Sequence, residues 1–267
     1  MITMKQKTKD RISAFWDAHP CGTAFTSHKD GTKEFFDCIE NLRYGTHRHI
    51  PELLDFSKYK DKRVLEIGCG IGTDLRQFAH EGGKTVGVDL SRKSVTLAKR
   101  GFELYGYVGD FLVGDGENLG FKDNSFDFVY SFGVLHHTPN TQKAIDEIYR
   151  VLKPNGETVV MLYYQKSFNV ALRIFLLRGV LEKKFKILSM QELLNQSTEG
   201  LGNPLTKIYS RKDAKKMFHQ FALVKTYVRY LTPSHMPIVG KHIPRQFFGL
   251  LEEICGWHLL IRAVKGD

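Results

Sequence analysis

From about residue 62 onward, short runs rich in Val, Ile, Leu and Phe alternate with longer stretches in which apolar residues recur every third or fourth position. Runs of about four to eight residues bounded by Gly, Pro or Asn read as strands, and the longer periodic stretches read as helices. Strands are predicted near 62 to 67, 84 to 89, 109 to 114, 126 to 131 and 157 to 164, with helices near 72 to 81, 91 to 104 and 140 to 152. Ser91 and Asn140 are helix-starting residues, and Pro154 with Gly156 marks a break after the third helix. A further helix is expected after Ser210, followed by strands near 222 to 231 and 257 to 264. Strand–helix alternation of this kind predicts an α/β fold, a mostly parallel, doubly wound sheet covered on both faces.

Two regions fall outside that alternation. Residues 1 to 60 contain AFWDAHPCGTAF at 14 to 25 and ENLRYGTHRHIP at 40 to 51, and their aromatic residues Phe15, Trp16, Phe25, Phe35, Phe36 and Tyr44 predict a helical arm over the mouth of a site. Residues 165 to 209 form an insertion after the fifth strand, long enough to be a lid with structure of its own. The expected division is therefore an arm at 1 to 60 and a main domain at 61 to 267 that carries the lid. Within the lid, SFNVALRIFLLRGVL at 167 to 181 is apolar but interrupted by Arg173 and Arg178, too short and too charged to span a bilayer. It reads first as a cap or a homodimer contact, and alternatively as an interfacial helix in peripheral contact with a membrane.

Composition changes this picture little. A chain of 267 residues that is 42% hydrophobic buries a sizeable core. Its 39 Lys and Arg against 29 Asp and Glu give a net charge of +10, which raises nucleic acid as a partner, but the basic residues are spread along the chain apart from small clusters such as Lys183, Lys184 and Lys186. A solvated surface is the preferred reading. The four cysteines, Cys21, Cys38, Cys69 and Cys255, have no CxxC spacing, so neither disulfides nor a metal site is expected. The opening MITMKQKTKDR has no apolar run behind it, which predicts neither a signal peptide nor a span and makes cytoplasmic the default localisation.

The chemistry is concentrated at VLEIGCGIGTDL, residues 64 to 75, and VGVDLS, residues 86 to 91. A strand runs into Gly68, Gly70 and Gly72 and then into a helix, so backbone N–H groups at a helix N-terminus can approach a ligand closely. A dinucleotide fingerprint reads G-x-G-x-x-G and seats a pyrophosphate, whereas this loop reads G-x-G-x-G and follows a carboxylate, Glu66. Glu66 would repel pyrophosphate and suits a cofactor bearing an ammonium and a sulfonium. Asp89, at the end of the next strand, can accept from both hydroxyls of a ribose.

Here the chain resembles the class I S-adenosylmethionine-dependent methyltransferases, over roughly residues 60 to 165 and with four motifs in the family's order. GDGENLGF at 114 to 121 is similar to the segment that meets adenine, FDFVYSFGVLHHTPN at 126 to 140 to the fourth-strand segment, and RVLKPNGETVVML at 150 to 162 to the helix, turn and fifth strand. The resemblance implies a Rossmann-like, seven-stranded sheet with its last strand antiparallel, S-adenosyl-L-methionine as cofactor and S-adenosyl-L-homocysteine as product. The cofactor-binding set it implies is Glu66, Gly68, Cys69, Gly70, Gly72, Asp89, Leu90, Asp115, Gly116, Glu117 and Ser131. It also points to the small-molecule group that includes ubiquinone and menaquinone biosynthesis enzymes, hence to in-line methyl transfer onto a small, partly apolar acceptor. His136 and His137, after the fourth strand, are the candidate bases, and Trp16, Arg43 and Tyr44 the candidate substrate or lid contacts, with Arg43 able to reach the cofactor carboxylate.

Three other readings are weighed against this one. An RNA methyltransferase is disfavoured because the Pro20-Cys21 pair precedes the first strand rather than following the fourth, and because SFGV at 131 to 134 replaces the Asn/Asp-Pro-Pro-Tyr/Phe segment of adenine amino methyltransferases. A nicotinamide-dependent oxidoreductase is disfavoured by the loop spacing and Glu66. A non-catalytic cofactor-binding protein is disfavoured because every cofactor position is populated.

Overall fold

The computed structural model describes residues 4 to 200, 202 to 236, 240 and 244 to 267. Seven strands form one sheet: β1 Arg63–Ile67, β2 Lys84–Asp89, β3 Gly109–Val113, β4 Phe126–Phe132, β5 Leu152–Tyr163, β6 Leu223–Arg229 and β7 His258–Val264. Their order is β3-β2-β1-β4-β5-β7-β6. β1 to β5 pair in parallel, while β7 runs antiparallel to both β5 and β6. The chain order reverses direction across the sheet between β1 and β4, so a crevice opens beyond their carboxyl ends, where open α/β sheets take their ligands.

Nine α-helices surround the sheet among the described residues: α1 Met4–Ala18, α2 Lys33–Thr46, α3 His49–Leu54, α4 Thr73–His80, α5 Arg92–Tyr105, α6 Thr141–Val151, α7 Met190–Thr198, α8 Arg211–Met217 and α9 Arg245–Cys255. The predicted starts are real caps. Ser91 accepts from the Ser94 N–H, Asn140 from the Lys143 N–H, and Ser210 forms a reciprocal box with Asp213. α6 and α8 bury one apolar stripe under β4, β5 and β7, where Phe126, Val129, Ile148, Phe218 and Ile261 share a core. α4 and α5 cover β1 and β2 with Leu75, Phe78 and Phe102.

Two details depart from the sequence expectation. β5 begins at Leu152 rather than 157, because Phe126 pairs with Leu152 and Phe128 with Glu157, and residues 153 to 156 bulge out between those two pairs. The Pro154–Gly156 break is thus an interruption inside the strand. β6 and β7 are neighbours as expected, but a short 3-10 turn, Pro233–His235, and α9 lie between them.

Within the arm, α2 is anchored by buried side chains. Phe35 and Phe36 on α2 are fully buried against Ile71 and Leu97. The buried Arg76 of α4 pairs with Glu40 at 3.0 Å and lies over the Phe36 ring. α1 instead rests on α5 and on the strand ends, through Lys9, Ser13 and Asp17. After β5 comes the insertion: a π-helix, Asn169–Leu181, a 3-10 turn, Lys184–Lys186, and α7, held by a small core of Ile174, Leu193 and Leu194.

Candidate active site

β1 ends at Ile67 and the chain turns through left-handed backbone at Gly68 and Gly70, with φ of 72° and 52°. A Cβ on Gly68 would lie 2.2 Å from Val134 Cγ2, so the loop after β4 closes directly on it. A Cβ on Gly70 would meet nothing within 4 Å, because that residue faces open cavity. The loop is pinned from β2: the Asp89 carboxylate accepts from the Gly70 N–H at 2.9 Å and the Ser91 N–H at 2.8 Å.

The loop forms one wall of a cavity of about 500 Å³. Of the expected cofactor residues, Glu66, Gly68, Cys69, Gly70, Asp89, Leu90 and Gly116 line it, and so do Trp16, Arg43 and His137. The others stand behind the wall. Ser131 donates to the Ile67 carbonyl at 2.9 Å, holding β4 to β1. Gly72 lets α4 pack on Ala98, 3.2 Å from where its Cβ would be. Asp115 and Glu117 are joined by Lys9 from α1, at 2.5 and 2.7 Å. His136 is fully buried under the Tyr163 ring, with centroids 3.8 Å apart. Burial, and His137 beside it, holds His136 far below the usual imidazole range.

Arg43 and Tyr44 meet a residue that the sequence reading did not single out. Asp74, in the first turn of α4, accepts both from the Arg43 guanidinium and from the hydroxyls of Tyr44 and Tyr130, each at 2.9 Å. Burial alone would raise the Asp74 carboxyl, but Arg43 and the two tyrosines hold it below its ordinary value. Glu66 has the opposite fate. Its Oε2 is buried without a hydrogen-bond partner, and burial, with Asp74 nearby, pushes its carboxyl well above the usual range. The unpaired oxygen leaves this carboxyl on the cavity wall short of a donor.

The opposite wall is made of side chains from distant segments: Cys21, His47, His137, Tyr163, Glu199, Tyr230 and His258. His137 stands edge-on to Trp16, with centroids 5.7 Å apart. Its Nδ1 lies 2.6 Å from the Leu205 carbonyl, which can only accept, so Nδ1 carries the hydrogen. Its Nε2 is buried without a hydrogen-bond partner, 3.8 Å from Glu199 Oε1. Glu199 also accepts from the Tyr163 hydroxyl. Burial works to raise the Glu199 carboxyl, but His137 and Tyr163 hold it below the ordinary range.

A stack of rings floors this wall. His47 lies parallel to His258 at 5.3 Å and stacks at an angle of 29° on Tyr230 at 4.7 Å, and His258 Nδ1 is 3.2 Å from His49 Nε2. Burial first, and then the charge of Arg43, lowers His47 to about 4, while burial and His47 lower His49 to about 3. These rings are neutral at pH 7 and behave as aromatic surface.

Tyr163 is the last residue of β5, so its place at the carboxyl edge of the sheet was a usable sequence signal. Glu199, just past α7 in the insertion, carried none. His47, Tyr230 and His258 are united only by tertiary structure.

Residues 65 to 160 match the methyltransferase domain family. The chain is 33% identical to the sterol 4-C-methyltransferase strm-1 of Caenorhabditis elegans over 125 residues, 46% of this chain and 36% of that protein. It is 41% identical over 119 residues to phthiotriol/phenolphthiotriol dimycocerosates methyltransferase 1 of Mycobacterium ulcerans, covering 43% of this chain and 40% of that one. The chain thus spans well under half the length of these relatives. In fold it is similar to a Haemonchus contortus phosphoethanolamine N-methyltransferase 2 solved with phosphomonomethylethanolamine and S-adenosylhomocysteine, with a TM-score of 0.58, 20% identity, and 88% of this chain and 58% of that chain covered. With the seven-stranded sheet, the glycine loop on β1 and the acidic end of β2, these matches identify the chain as carrying a class I S-adenosylmethionine-dependent methyltransferase domain.

Proposed function

We propose that this protein transfers the methyl group of S-adenosylmethionine by in-line displacement to a small, partly apolar acceptor, and that His137 takes the acceptor's proton. The observation that carries the reading is a single cavity lined by both the glycine loop and His137, an imidazole whose Nε2 has no hydrogen-bond partner.

The loop wall fits the cofactor. The unpartnered Oε2 of Glu66 suits its ammonium, Asp89 has lone pairs left for two ribose hydroxyls, and Gly70 leaves the space that close backbone approach needs. Leu90 and Gly116 line the same wall beyond Asp89, on the side expected for adenine. When bound, the cofactor supplies a methyl group on a positively charged sulfur.

His137 is prepared as a base by its surroundings. The Leu205 carbonyl fixes the tautomer, leaving the lone pair on Nε2, which has no hydrogen-bond partner and lies 3.8 Å from Glu199 Oε1. When Nε2 gains a proton, the imidazolium faces Glu199, a carboxylate held in its charged form. An acceptor that loses a proton on methylation, a hydroxyl or an amine, uses this arrangement directly. His136 cannot share the role, since it reaches no cavity surface and stays neutral.

The remaining walls choose the acceptor and keep water out. Trp16, Phe132, Tyr163, Tyr230 and the neutral histidines give aromatic rather than ionic contact, which suits an acceptor with an apolar body. Residues 1 to 60 and 165 to 209 act as the cover, bringing Trp16, Arg43 and Glu199 to the site from outside the sheet.

Calorimetry with S-adenosylmethionine, S-adenosylhomocysteine and NADH tests the cofactor, and release of S-adenosylhomocysteine with a panel of phenols, sterols and amino alcohols tests the acceptor. Binding of NADH alone would overturn the reading, and binding without turnover on any acceptor would make the protein a non-catalytic binder.

A further inference from the structure

Within the insertion, the π-helix turns Val170 and Ile174 inward and Phe175, Val180 and Leu181 outward. The chain then reverses at Lys183, in left-handed backbone, and presents Phe185 and Ile187 beside them, with Phe175 and Phe185 ring centroids 5.3 Å apart. Ile187 is 81% exposed and Leu181 56%. Isolated exposed apolar residues need no explanation, but five of them on one projecting turn do. Among the described residues these side chains stay exposed, Phe185 the least because its ring packs on Gly179, and Lys183, Lys184 and Lys186 are interleaved with them, Glu182 pairing with Lys184 at 3.6 Å.

We propose that this projecting turn, residues 175 to 187, docks on an anionic lipid surface. Apolar side chains that enter the headgroup boundary and flanking lysines that meet lipid phosphates are the two halves of an interfacial anchor. The charge separates this occupant from a second copy of the chain: a two-fold contact through the same turn would bring each lysine cluster against its own image. No helix among the described residues is long and apolar enough to cross a membrane, so contact is made from the surface. The same insertion supplies Glu199 to the cavity wall. Lipid binding does not depend on the methyl-transfer reading, and its test uses neither cofactor nor acceptor.

The experiment sediments the full chain with vesicles of phosphatidylcholine alone and of phosphatidylcholine containing phosphatidylglycerol. It compares wild type with a Phe175→Ser, Leu181→Ser, Ile187→Ser variant and a Lys183→Gln, Lys184→Gln, Lys186→Gln variant. All six side chains lie outside the proposed cofactor seat, so circular dichroism and S-adenosylhomocysteine affinity are expected to match wild type in both. Wild type sediments with the anionic vesicles, less so as salt is raised. The lysine variant loses roughly a hundredfold in partition, at about fivefold per charge. The serine variant loses sedimentation as well. The proposal is overturned if wild type stays in the supernatant with anionic vesicles, or if both variants sediment as well as wild type. It is equally overturned if light scattering shows a dimer that the serine variant splits while vesicle binding is unchanged.

Discussion

The loop wall and the ring-lined wall of one cavity keep their shapes by different means. The loop wall is backbone, spanning little more than the turn from β1 into α4 and the end of β2, fixed by left-handed glycines and by two N–H groups on Asp89. The ring-lined wall is side chains from the arm, the loop after β4, the end of β5, the insertion and the β6–β7 connection, held by ring contacts and by hydrogen bonds such as His137 to Leu205. A wall made by a short backbone motif tolerates few substitutions and repeats from protein to protein. A wall assembled from separated side chains can be altered one residue at a time, and in the function proposed above it carries the specificity and the proton.

The largest expected effect breaks the ring-lined wall alone. His137→Gln lowers kcat about 10²- to 10⁴-fold, the usual contribution of a general base, while calorimetric affinity for S-adenosylhomocysteine stays near wild type. Equal losses in both measurements would mean that the two walls are not separable.

Acid attacks the same wall. His47 is lowered to about 4 from 6.5, so the unfolded chain binds a proton that the folded chain refuses. Stability is therefore full above pH 6.5 and falls as pH drops toward about 4, by on the order of 3 kcal/mol from this residue. Thermal melts across that window are expected to show the fall, and His47→Phe to flatten part of it because the replacement ring takes up no proton.

On the loop wall, Asp89→Ala is expected to weaken S-adenosylhomocysteine by about 1.5 to 3 kcal/mol, through loss of charge-assisted hydrogen bonds to the ribose and of the Gly70 tether. Unchanged affinity in a folded variant would remove the ribose from Asp89. The smallest effect is at the edge between arm and site: Lys9→Ala, which frees Asp115 and Glu117, changes cofactor affinity by less than about 1 kcal/mol.

The same contrast explains what was legible in the sequence. Strands of four to seven apolar residues between glycines, with Ser91, Asn140 and Ser210 as caps, locate the sheet within a residue or two, because periodicity and capping are local. The bulge in β5 was not legible, since Pro154 and Gly156 announce a break without saying that pairing resumes with the same partner. α9 was missed because FFGLLEEIC has a glycine in its middle and most of its apolar face, including Leu250 and Ile254, is left exposed. At the site, Glu66, Gly70 and Asp89 stand out because their spacing is their function. Asp74 reads from sequence as an ordinary acidic residue in a first helical turn, and its role as the acceptor for Arg43, Tyr44 and Tyr130 exists only after α2 packs on α4. The choice between adjacent histidines needed the structure too, because one residue of shift inside a short 3-10 turn exchanges a buried ring for a cavity-lining one.

A crystal structure with S-adenosylhomocysteine and a methylatable acceptor tests the central claim most directly. The account predicts the ribose on Asp89, the ammonium on Glu66 Oε2, and the acceptor oxygen or nitrogen beside the cofactor sulfur within about 2.6 to 3.2 Å of His137 Nε2. An acceptor atom facing the sulfur from another wall, with His137 Nε2 still unpartnered, would contradict it.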